Sequence, residues 1–207
     1  MTPDEVAGFF SRGSDYLFAR WGRPIAPVVF GVEDATLDVV KGALTAVTEL
    51  ARHPMVETDP ELGVNLMMFF LRDWDELRHV PDLDRLIPEL DTLLPRLEQG
   101  DASQYRAFRF EADGAIRAAF VFVRMQGEMA QLPAETIALS QAVQTILLWS
   151  DAAFAERSPL AQAPSGAVVL RPEIARVIQA AYDPVMPRAA TDSAHAYRLA
   201  ARIGAGA

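Results

Sequence analysis

Arg106-Ala107-Phe108-Arg109-Phe110-Glu111-Ala112-Asp113-Gly114-Ala115-Ile116-Arg117-Ala118-Ala119-Phe120-Val121-Phe122-Val123-Arg124 is the stretch that decides the fold. Two β-prone runs, Arg106 to Glu111 and Ala115 to Arg124, flank Asp113-Gly114, the strongest short hairpin signal in the chain, and a tight primed turn with positive φ at both centres is expected there. Arg109 and Glu111 alternate with Phe108 and Phe110, so the first strand carries a one-sided polar face. Upstream, Gly63 to Leu71 (Gly-Val-Asn-Leu-Met-Met-Phe-Phe-Leu) is a nearly continuous apolar run of strand length, the pattern of a strand covered on both faces and therefore central. Ile25 to Phe30 is a further strand, placed at an edge or starting late by Pro24 and Pro27, because proline cannot donate to a central ladder.

Helices surround these strands. The opening residues predict a helix capped by Thr2, with Pro3 first and an aromatic face of Phe9, Phe10, Leu17, Phe18 and Trp21. Thr36 to Arg52 is amphipathic through Leu37, Val40, Leu44, Val47 and Leu50, with Asp34 or Thr36 as cap. From Asp73 to Gln99, Pro81, Pro88 and Pro95 predict short helices covering one face of the sheet. Pro133 to Trp149 is a second strong helix, with Glu135 in its first turn and Ile137, Val143, Ile146 and Leu147 buried. Helix or loop is expected after it: a surface loop over Ser158 to Gly166, a helix from Pro172 through Tyr182, a last helix over Thr191 to Arg202, and a fraying Gly-Ala-Gly-Ala end. The fold class expected is α+β, a mixed four-stranded sheet packed against helices with a C-terminal helical segment, all in one domain spanning residues 1–207.

Composition narrows the function. A 51% hydrophobic content is ample for a core, and 28 acidic against 19 basic residues, with the signs interspersed, leave no basic stripe for nucleic acid. The absence of cysteine removes disulfides, thiolate nucleophiles and cysteine-based zinc sites. Asp4, Glu5, Arg12 and Asp15 are wrong for a signal peptide, and no apolar run reaches the roughly 20 residues that span a bilayer. A soluble protein without a transmembrane segment is expected, cytoplasmic as the sequence stands and periplasmic if an export signal has been removed.

No two of His53, His79 and His195 lie three or four residues apart, and no phosphate-binding loop or nucleophile elbow follows a strand. Asp73, Asp75 and Glu76, or Asp82, Asp84, Glu89 and Asp91, could pair as carboxylates or hold a hard cation, but acids at helix starts read first as solvated faces. Arg20, Arg23, Arg106, Arg109, Arg117 and Arg124 are the other raw material; the last four could face one another across the hairpin as an anion or carboxylate site.

The order helix, strand, long helix, strand, hairpin, buried helix is similar to the zinc-dependent metallopeptidase (zincin) fold. Three pieces of the chain narrow this further: Phe9-Phe10 with Ala19-Arg20-Trp21-Gly22-Arg23-Pro24-Ile25; Ser140-Gln141-Ala142-Val143-Gln144-Thr145-Ile146-Leu147-Leu148 with Ser150-Asp151; and Leu170-Arg171-Pro172 leading into Ala181-Tyr182-Asp183-Pro184. On these pieces the chain resembles a proteobacterial lipoprotein family, domain-of-unknown-function family 2927. An active zincin needs His-Glu-x-x-His on the buried helix, and the matching positions here are Ser140, Gln141 and Gln144. The resemblance therefore implies a degenerate site with no catalytic residue, metal or other cofactor. The cleft beside that helix would remain for binding, at Glu135, Gln141, Gln144 and Asp151. Three functions are open, in this order: a non-catalytic module binding a peptide or protein partner, a hydrolase using carboxylates and arginines, and a structural homo-oligomerising subunit marked by an exposed apolar patch.

Overall fold

The computed structural model describes residues 1–205. The chain opens with α1 (Pro3–Gly8), where the Thr2 hydroxyl accepts from the Glu5 N–H and the Glu5 carboxylate accepts from the Thr2 N–H. The expected aromatic helix stops there. Ser11–Arg12 pairs back on Asp15–Tyr16 around Gly13 at φ 61°, a conformation open to glycine, and Phe10, Phe18 and Trp21 reach the core from non-helical backbone, while Leu17 is exposed.

The main elements then follow as β1 (Pro27–Phe30), α2 (Asp34–Leu50), β2 (Leu66–Leu71), α3 (Leu90–Gln99), β3 (Gln104–Phe110), β4 (Ile116–Arg124), α4 (Ala134–Ile146), α5 (Pro172–Ala181) and α6 (Ala194–Ala205). The four-stranded sheet has the order β1-β2-β4-β3, with β1–β2 and β2–β4 parallel and β3–β4 antiparallel. The proline-bearing strand is an edge and the apolar run is internal, both as expected. Met68 and Phe70 of β2 join Val121 and Val123 of β4 toward α2 and α4; Phe69 and Leu71 join Phe120 and Phe122 toward Trp74, Leu83, Ile87 and Leu94. Burial on both faces is why β2 reads as continuous rather than alternating.

Local details depart from the sequence expectations for identifiable reasons. Gly114 alone has positive φ (84°) in the hairpin connection, which closes through Gly114 N–H to the Glu111 carbonyl at 2.9 Å and Ala115 N–H to the Asp113 carboxylate at 3.0 Å; the two-residue primed turn is not formed. Glu33, not Asp34 or Thr36, precedes α2, without a side-chain cap. Pro95 lies inside α3 rather than ending it; the carbonyl one turn earlier belongs to exposed Asp91, where water can reach it. The Ser158 to Gly166 segment contributes a strand, Leu160–Gln162, paired with Val168–Leu170 across a turn at Gly166, and Ala189–Ala190 pairs with Phe18–Ala19, so the region after α4 is not only helix and loop. The fraying expected at the C-terminus falls partly outside the described residues; Gly204 and Ala205 still belong to α6.

The Tyr182-Asp183-Pro184 sequence has a plain structural use. The fully enclosed Tyr182 hydroxyl donates to the Ile146 carbonyl at the end of α4 (2.8 Å) and accepts from the Trp21 N–H (3.3 Å), tying three segments together. Among the described residues no helix is long and apolar enough to cross a membrane.

Candidate functional site

Strand spacing places Gln104 and Arg106 on one face of β3, and one helical turn places Gln141 and Gln144 on one face of α4. The fold brings the two faces together. Arg106 Nη1 donates to Gln104 Oε1 at 3.0 Å and Gln141 Oε1 at 3.1 Å, and Nη2 donates to Gln144 Oε1 at 2.7 Å. Gln141 Nε2 donates to Gln104 Oε1 at 2.8 Å, and Gln144 Nε2 to Ser140 Oγ at 2.8 Å, which turns the amide oxygens toward the guanidinium. A cleft of about 470 Å3 opens above this network. Arg12, Asp151 and the aromatic residues Phe108, Trp149 and Phe154 contribute to its lining. Arg12 is committed to main chain, donating to the Trp149 carbonyl at 2.6 Å.

Arg106 differs electrostatically from the other hairpin arginines. Arg109 pairs with Glu89, Arg117 with Glu61 and Arg124 with Asp101, so the four do not face one another as a cluster. Among the described residues the acceptors of Arg106 are all neutral amides, and burial pulls its guanidinium down to about 10, with the charge of Asp151 opposing that shift from beyond contact. Its three hydrogen bonds use three of five donors.

Of the residues assigned to the cleft from sequence, Gln144 and Asp151 line it, whereas Gln141 is buried behind the lining, bonded to Arg106 and Gln104. Glu135 is exposed in the first turn of α4, nine residues and roughly 13 Å of helix from Gln144, and does not line the cleft. Gln104 and the aromatic wall were missed; the signal for Gln104 was its i,i+2 spacing from Arg106 on a strand.

The positions matching a zincin helix do not fit zinc. Ser140, Gln141 and Gln144 are neutral and bonded to one another or to Arg106, and a cation placed among them would meet a guanidinium within hydrogen-bond distance of both glutamines. The histidines have separate surroundings: His53 bonds the Arg23 carbonyl at 2.8 Å, His79 is exposed beside the Asp75 carbonyl, and buried His195 meets the Tyr16 hydroxyl at 2.7 Å. Asp73, Asp75 and Glu98 form an exposed acidic group in which Asp73 caps the Trp74–His79 turn. Among the described residues the cleft lining holds one acid, Asp151, where paired-carboxylate chemistry uses two.

No family model matches the chain, and neither a curated protein nor a solved structure matches it.

Proposed function

We propose that this chain is a non-catalytic, zincin-like binding module that takes an extended peptide or protein segment along the outer edge of β3. The observation that carries this is an open strand edge beside a cleft. Among the described residues β3 pairs on one side only, with β4, and the antiparallel alternation that begins at the Arg124 N–H to Ser103 carbonyl bond turns the main-chain groups of Gln104, Arg106 and Phe108 outward, the Phe108 carbonyl also accepting from Arg109 Nη1 at 3.2 Å. Such an edge offers main-chain hydrogen bonds to an added strand, while the cleft offers pockets for alternate side chains. Ser140, Gln141 and Gln144 in place of metal ligands support binding without hydrolysis. Nucleic acid is a poor partner for a surface of net charge -9.

The test is a screen of a decapeptide library followed by amide-resolved NMR of the best binders. Protection of the Gln104, Arg106 and Phe108 amides from exchange is expected in the complex. A library with no binder at millimolar concentration, or binders that leave these amides untouched, refutes the proposal.

A further inference from the structure

Building on the peptide-binding proposal, the geometry points to Arg106 as the receptor for a carboxylate attached to an apolar group, above all the C-terminal carboxylate of a bound peptide. Arg106 is charged, half-buried at the cleft and surrounded by neutral partners, whereas Arg109, Arg117 and Arg124 on the same hairpin each have an acid of their own. Charges drawn away from water ordinarily have a counter-ion, and the two guanidinium donors that no oxygen of the described residues uses match the two oxygens of a carboxylate. Glutamine at 141 and 144 is the second indication. Each orients the guanidinium as a glutamate would, without cancelling its charge.

The charge count selects a monoanion. Arg106 and Arg12 against Asp151 leave one net positive charge in the cleft lining, too little for a phosphate dianion. The walls select the rest of the ligand: Phe108, Trp149 and Phe154 line the same cleft, and Trp149 packs on Phe154 with ring centroids 5.0 Å apart. An apolar side chain next to the carboxylate would bury against them. Carboxylates reach such a site from a chain terminus or from an aspartate or glutamate side chain, and both share this chemistry.

The experiment is calorimetric titration of the whole protein with four probes. They are an acetylated tetrapeptide ending in phenylalanine with a free carboxylate, the same peptide amidated, the amidated peptide with an internal glutamate, and propionate. Each is titrated into wild type and Gln144→Glu. That variant places a carboxylate on the Arg106 guanidinium with almost no change of shape, and a melting curve confirms that it folds. Wild type should bind the free acid at least tenfold more tightly than its amide, the worth of a charge-assisted pair, and Gln144→Glu should lose that preference. Recovery of affinity with the internal glutamate also supports a carboxylate receptor and identifies the side chain as a source. Equal binding of acid and amide in wild type overturns the carboxylate inference while leaving the peptide proposal standing. Binding of propionate that Gln144→Glu abolishes, with no peptide binding at all, keeps the carboxylate receptor and removes the peptide module. No binding of any probe at millimolar concentration overturns both.

Discussion

Gln144→Glu should stabilise the protein in the absence of any ligand. Arg106 Nη2 already lies 2.7 Å from Gln144 Oε1, so the substitution replaces a neutral acceptor with an ionised one and moves nothing else. A neutral hydrogen bond contributes about 0.5–1.5 kcal/mol and one to a charged partner about 1.5–3, so the gain is about 1 kcal/mol, with some relief of the burial that holds Arg106 down. Ser140 Oγ, now an acceptor from Gln144 Nε2, can rotate to donate to the new carboxylate, so that contact is retained. For a chain of this length the expected rise in melting temperature is about 2–4 °C. The new carboxylate, beside a guanidinium, has a folded pKa below the ~4.3 of an unfolded glutamate. Its contribution is therefore present above that value and lost as the pH falls through the folded pKa. Urea unfolding of both proteins at pH 7 and near pH 3.5 measures this. Equal or lower stability of the variant at pH 7 would show that Arg106 does not lack a counter-ion.

Three further outcomes follow from other parts of the fold. Gly31→Ala should cost about 3 kcal/mol or prevent folding, because φ is +80° and a Cβ would stand 1.9 Å from the Phe70 carbonyl oxygen; a denaturation midpoint unchanged from wild type would refute this. Tyr182→Phe should cost about 1–3 kcal/mol by leaving the Trp21 N–H and Ile146 carbonyl without their partner, read as a shift in urea midpoint at constant slope. His195 is held down to about 4, first by burial and then by Arg198, so the folded state resists a proton that the unfolded chain takes up near 6.5. Its neutrality supports the fold fully above 6.5 and progressively less toward pH 4, a loss of about 2 kcal/mol between pH 7 and 5 that a His195→Gln variant should not show. An imidazole titrating near 6.5 by NMR would contradict it.

Side-chain periodicity made much of the architecture legible. Within Gly63 to Leu71, the strand residues Leu66 to Leu71 are apolar throughout because both faces of β2 are covered, and Pro24 and Pro27 mark an edge because they cannot donate to a ladder. The N-terminal aromatics Phe9, Phe10, Leu17, Phe18 and Trp21 can be threaded at helical spacing, but Gly13-Ser14-Asp15 is a sequence suited to a turn, and the chain reverses there. The short strands after α4 were invisible for a different reason: two or three residues carry no periodicity, and only their partners make them strands.

The candidate site divides in the same way. Sequence alone determined that Gln141 and Gln144 share a face of one helix, that neither carries the imidazole or carboxylate of a zincin helix, and that Arg106 lies on a hairpin strand among other arginines. It could not determine that these are one site, because Arg106 and Gln144 are 38 residues apart and their meeting depends on how α4 crosses the sheet beside its last strand. Nor could it distinguish Arg106 from Arg109, Arg117 and Arg124, since all four are arginines on neighbouring strands. Only tertiary structure assigns an acid to three of them and three amides to the fourth, because a counter-ion is a matter of distance in space rather than position along the chain.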